Sequence, residues 1–226
     1  MKKLLIHIAP RPGAHTEVAT RVQRRVAELI DHEASGIEAA TALFALDKDP
    51  LRTRNARYST TLEVRGGSEQ AIAERVPELL SDFEDIAHPD LCTALLGEEH
   101  TFIEPGGAPL RYQYLMRRNA EFDHAGYIRH YRDVHSRFGI ATPAIEGYVQ
   151  FHVDPEGSRR LAARTGAGLF GVDSVTQLHM RSVEKFIEAI SASTVGIDAM
   201  EDEKHFVDRE NSVGFTSRTA SPPNAR

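Results

Sequence analysis

One order of apolar patterns, strand-helix-strand-strand-helix-strand, runs twice along this 226-residue chain, and the break Pro105-Gly106-Gly107-Ala108-Pro109 separates the two passes. In the first pass, residues 2 to 9 form a short apolar run that reads as a buried strand, and Pro10-Arg11-Pro12-Gly13 turns the chain. From about Thr16 to His32, Val18, Val22, Val26, Leu29 and Ile30 recur at the helical period, with Arg21, Arg24 and Arg25 on the wet face. Strands near Ile37 to Leu46 and Arg57 to Val64 follow. Gly66-Gly67-Ser68 then supplies a break and an N-cap for a helix striped by Ile72, Val76, Leu79, Leu80 and Phe83, with Pro77 as a point of kinking. A fourth strand is expected around His100 to Glu104.

The second pass begins at once. Leu110 to Arg117 reads as a strand, Asp123 caps a helix running to Phe138, and Gly139 is the expected stop. Gly147 to Val153 and Ser174 to Met180 read as strands, and Ser182 to Ile190 as a helix. A short helix near Ile197 to Val207 and a last strand near Ser212 to Thr216 complete it. This split order is that of the ferredoxin-like α+β unit, so the chain divides into halves at 1–105 and 106–216. Residues 217–226 lack apolar anchors and are expected to be a disordered tail.

Composition narrows the function. A formal charge of -6 opposes a nucleic-acid partner, which needs concentrated Lys and Arg. The single Cys92 excludes an intramolecular disulfide and fits a reducing compartment. The apolar start is too short for a signal peptide and ends at Pro10-Arg11-Pro12, and no stretch approaches the roughly 20 apolar residues of a membrane span. A cytoplasmic protein without membrane contact is expected.

The second half also carries a set of motifs: Glu121-Phe122, then Tyr131-Arg132-Asp133-Val134-His135, then Gly147-Tyr148-Val149-Gln150-Phe151-His152-Val153-Asp154, and finally Asp202-Glu203-Lys204-His205-Phe206-Val207-Asp208. Together they resemble the EthD-like family over roughly residues 110 to 216. One departure is Phe151, where that family often has Asn before the strand histidine. The resemblance implies that two tandem ferredoxin-like units pair into a pseudo-symmetric α+β barrel. It also implies small apolar ligands, often aromatic or polyketide-derived. Activities across the wider superfamily include cofactor-free decarboxylation, dehydration, cyclisation, isomerisation and oxygenation, with haem chemistry in some branches, so fold does not fix reaction.

Strand alternation puts Tyr148, Gln150 and His152 on one face, and Gln177 and His179 on one face of the next strand. In a closed barrel whose apolar faces meet the helices, these polar faces would line the interior, making His152 and His179 acid/base groups. A plain solvated face would produce the same alternation. On the preceding helix, Tyr127, Tyr131, Val134, His135 and Phe138 share a face, so His135 is either a hydrogen-bonded core histidine or a third acid/base group. His130 lies five residues from His135, about 140° round an α-helix, which excludes a same-face pair. His7 sits in the first strand and reads as a satisfied core histidine that pseudo-symmetry would aim into the barrel.

Tyr112, Tyr114 and Met116 form a stripe that reads as core, and the Asp198 to Asp208 run reads as solvated helix. No HExxH, phosphate loop or dinucleotide fingerprint occurs, so neither a metal nor a cofactor is expected. The resulting expectation is a cofactor-independent lyase, isomerase or cyclase acting by proton transfer on a small aromatic or ring-cleavage-derived substrate. His152, His179 and His135 would be catalytic, with Tyr148, Gln150, Gln177, Tyr131, Tyr127 and His7 around the ligand. A non-catalytic ligand-binding barrel and an oxygenase, cofactor-free or haem-dependent, are the alternatives. Internal duplication makes a monomer sufficient, while exposed sheet edges would allow a homodimer.

Overall fold

The computed structural model describes residues 1–30, 36–75, 80 and 82–220. The end of the first predicted helix beyond Ile30, Val76, Pro77 and Leu79 of the second, and residues 221–226 lie outside them. The first half comprises β1 (Lys2–Ile8), α1 (His15–Ile30), β2 (Ile37–Ala45), β3 (Thr60–Gly66), α2 (Glu69–Arg75) and β4 (Thr93–Ile103). In the second half, β5 (Leu110–Met116) leads to α3 (His124–His130), a π-helical segment (Tyr131–His135) and α4 (Ser136–Ala141). Then come β6 (Gly147–Val153), α5 (Pro155–Thr165), β7 (Ser174–Met180), α6 (Val183–Ser191), α7 (Val195–Phe206) and β8 (Val213–Thr219).

The eight strands close into one barrel in the order β1-β3-β2-β8-β5-β7-β6-β4, every pairing antiparallel. Mapping β1 onto β5, β2 onto β6, β3 onto β7 and β4 onto β8 returns the same ring, so two ferredoxin-like sheets are joined through β4–β6 and β2–β8. Closure within one chain leaves no strand unpaired among the described residues. The edge argument for a homodimer therefore lapses.

Four expectations are corrected. β4 begins at Thr93 rather than near His100, because Thr93 to Gly97 are buried on both faces and show no alternation. Helix α5 was not anticipated: its inward side is Gly157, Ser158, Leu161, Ala162 and Thr165, mostly small or hydroxylic residues that leave no apolar stripe. Gly139 does not stop the helix, which runs to Ala141. It lets the helix approach Tyr148, since a Cβ there would lie 2.2 Å from that ring. Ser217 to Thr219 are not tail but strand, pairing with Ala45, Phe44 and Leu43 to close the barrel.

The middle of the barrel interior is filled. Leu5, Leu95, Phe151, Val175, Leu115 and Phe215 pack it, and Lys3, Glu63, Arg65, Glu99 and Arg111 form an ion network nearer one end. Helices cover the outer faces, where the first half packs Leu4, Ile6, Val18, Val22, Leu62 and Val64 into an apolar layer.

Candidate functional site

Strand register decides what each predicted residue faces. Across β6 and β7, Gln150 is opposite Thr176 and His152 opposite Ser174, while Val149 is opposite Gln177 and Gly147 opposite His179. Directly paired residues share a face, so His152 and His179 lie on opposite sides of the sheet. Gln177 points into the barrel, accepting from Lys3 Nζ at 2.7 Å and donating to Glu63 at 3.2 Å. His7 is inside as well, its Nδ1 2.9 Å from Thr61 Oγ1. Burial lowers both His7 and His179 to a pKa of about 3. The expected pairing of His152 with His179 over one cavity is thus corrected: the apolar residues of β6 face inward and its polar residues face the helices.

Six of the nine predicted residues do come together, on that outer face of the second half. The Tyr127 hydroxyl lies 2.7 Å from Ser174 Oγ and the Tyr131 hydroxyl 2.6 Å from Thr176 Oγ1. Gln150 Nε2 donates to the Tyr148 hydroxyl at 2.6 Å and to the Tyr131 carbonyl at 3.1 Å, and Gln150 Oε1 accepts from His152 Nε2 at 2.8 Å. His152 stacks on His100 with ring centroids 4.2 Å apart. Burial, then His100 and Arg132, lower its pKa to about 3, so at neutral pH it is an uncharged hydrogen-bonding group.

The π-helical segment reorients His135. Hydrogen bonding at i→i+5 widens the turn and carries residues five apart onto nearly one line, where an α-helix would separate them. His130 and His135 consequently meet the same carboxylate, against the sequence expectation. Asp202 lies 2.8 Å from His135 Nδ1 and 3.1 Å from His130 Nε2. With its Nδ1 donating to Asp202, His135 keeps Nε2 as an acceptor, 3.9 Å from Glu203 Oε1. Burial lowers the His135 pKa despite Asp202.

Glu203 opens onto a cleft of about 460 Å³ between β5 and helices α6 and α7, walled by Tyr112, Tyr114, Phe186, Ile190, Ile197 and Met200. Burial, reinforced by the charge of Asp202 and opposed by Arg209, raises its pKa to about 7. Arg209 Nε at the cleft wall is 3.5 Å from Glu203 Oε2. Sequence reasoning missed Glu203, Asp202 and Arg209, and assigned Tyr112 and Tyr114 to core. The Asp202 to Asp208 motif was the available signal, though it reads equally as an exposed acidic helix until His135 is placed against it. The rings of Phe206, Phe138 and Tyr131 crowd His135 at 5.0, 5.4 and 5.9 Å, and Glu203 faces its free nitrogen. A haem-sized plane does not fit this surrounding. Among the described residues no cluster of three or more His, Cys, Asp or Glu has the arrangement to hold a metal ion, and no helix is long and apolar enough to cross a membrane.

Residues 119–210 match the EthD domain model. No curated protein matches the sequence. Among solved structures, an anthrone oxidase-like protein is similar at a TM-score of 0.67 and 12% identity, over 97% of this chain and 91% of that one. A candidate monooxygenase from Lactobacillus acidophilus is similar at a TM-score of 0.54 and 9% identity, over 96% and 93%. A mutant chlorite dismutase from Candidatus Nitrospira defluvii is similar at 0.54 and 11%, over 97% and 90%. At these identities the likeness is one of fold. The chain folds as an eight-stranded α+β barrel, and residues 119–210 of its second half match the EthD domain model.

Proposed function

We propose that the cleft of the second half is the active site of an enzyme that removes a proton from a small aromatic ligand. The observation that carries this is the Glu203 carboxyl, poised near neutrality at the wall of an apolar, tyrosine-lined cleft and backed by the Asp202-oriented His135. A general base works best when its pKa lies near the working pH. Glu203 takes the substrate proton, His135 Nε2 relays or returns it, and Arg209 with Tyr114 holds the oxygen on which negative charge develops. The wider apolar cleft between α1 and β2, about 540 Å³, has no carboxylate or histidine in its walls among the described residues.

Proton removal alone serves a lyase or isomerase. It also serves a cofactor-free oxygenase, because a deprotonated electron-rich aromatic can react with dioxygen directly. The oxidase-like and monooxygenase names of the structural neighbours favour this second reading. The test is exchange of acidic C–H positions in planar phenols and aryl ketones, followed in D2O by NMR, with oxygen uptake recorded in parallel. Exchange catalysed by the native protein and reduced by at least about 10²-fold in Glu203→Gln supports the base. Equal exchange in both proteins removes it. Oxygen uptake with the same Glu203 dependence selects the oxygenase.

A further inference from the structure

A second site lies inside the barrel, away from the cleft. Three cations, Lys3, Arg65 and Arg111, meet two carboxylates there. Glu63 touches all three, at 2.7 Å from Lys3 Nζ, 2.6 Å from Arg65 Nη1 and 2.6 Å from Arg111 Nη1. Glu99 touches Lys3 and Arg65, at 2.5 and 2.8 Å. One positive charge is left over in surroundings where an uncompensated charge costs several kcal/mol.

The surplus falls beside Arg111 and His179, which are 6% and 5% exposed and directly opposite one another across β5 and β7. Arg111 Nε and His179 Nε2 are both buried without a hydrogen-bond partner among the described residues. On either side of this pair the same row holds only short side chains, Gly147 next to His179 and Ser217 next to Arg111. The charges that act most strongly on His179 are Arg111, Lys3 and Arg65 against Glu63, with Glu99 farther off on Lys3 and Arg65, so the local potential is positive. Water reaches this region at Arg65 and Glu99, whose side chains keep 20% and 11% of their surface.

We propose that this end of the barrel is a binding site for a small monoanion of carboxylate or halide size, held by Arg111 Nε and His179 Nε2. An anion there balances the cation surplus and gives both buried donors an acceptor. The site is separate from the Glu203 cleft and stands or falls independently of it.

The test is thermal unfolding at pH 7 and constant ionic strength, with formate or chloride replacing a bulky sulfonate. The His179 ring resonances are followed by NMR across the same titration. The expected result is a saturable rise in Tm of about 5 °C once the anion exceeds its Kd by about 100-fold, with His179 shifting on the same isotherm. Formate acting alone identifies a carboxylate site, and chloride acting equally identifies a general monoanion site. Arg111→Lys keeps the charge beside Glu63 but removes the Nε donor, and His179→Phe leaves the ion network in place. Both should unfold cooperatively with anion affinity reduced at least about tenfold. A Tm and a His179 spectrum indifferent to every anion up to about 0.5 M would overturn the site and leave loss of the Lys3 proton as the means of discharging the surplus.

Discussion

Glu203 shows how far a single side chain can be moved by its neighbours. Its carboxyl is raised to about 7 because burial and Asp202 both disfavour its charge more than Arg209 favours it. Used as a base it must be ionised, so the rate should climb as pH rises through about 7, and Glu203→Gln should lose that limb along with the activity. The same shift carries a stability sign. The folded state holds this proton more tightly than the unfolded chain, so the stabilising contribution is full below about 4.5 and lost as pH rises through about 7. Glu203→Gln should therefore melt above the native protein at pH 8, with the difference shrinking on acidification, as thermal scans across that range would show. His7, His152 and His179 have the opposite sign. Each is held near 3 mainly by burial, so the unfolded chain takes up protons that the folded state refuses. Stability should fall as pH drops below 6.5, and His152→Gln should flatten that fall by about one proton in a plot of denaturation free energy against pH.

At the scale of elements, the helix spanning α3, the π segment and α4 is shaped by two contacts with β6. Gln150 gives the Tyr131 carbonyl a side-chain donor where the α-helical ladder is interrupted, and Gly139 lets the helix lie against Tyr148. Gly139→Ala should cost about 1–3 kcal/mol through overpacking, more than the helical preference for alanine returns. Chemical denaturation measures the loss, and the His135 NMR signals report whether the contact with Asp202 loosens with it. The helical period of Tyr127, Tyr131 and His135 was legible in the sequence, since all three are buried, whereas Val134 of the same predicted stripe is exposed. The π turn was not, because it inserts no distinctive residue and is expressed only in which carbonyl finds which donor. It is also what invalidates a 140° separation of His130 from His135.

For the whole molecule, the decisive contact is β2 with β8, which spans only three residue pairs, Leu43 with Thr219, Phe44 with Arg218 and Ala45 with Ser217. Ending the chain at Thr216 should open the ring there and expose two strand edges, so light scattering should find this variant associating to a higher mass than the full chain under the same conditions. The two halves share a frame and differ in content: the first fills its outer face with aliphatic residues, and the second with tyrosines, histidines and a glutamine. The order of the strands and their doubling were determined by the sequence alone, because strand and helix periods are local properties of neighbouring residues, whereas α5, which has no apolar stripe, was not legible there. The residue types of the second half's motif were also determined by the sequence alone. Which face of β6 meets the helices, whether His152 and His179 share a cavity, and whether Glu203 is solvated or buried were decided only by the tertiary structure. Alternation says that two faces differ but not which one is inside, and a carboxylate acquires its pKa from groups brought to it across 67 residues of chain, as His135 is brought to Asp202.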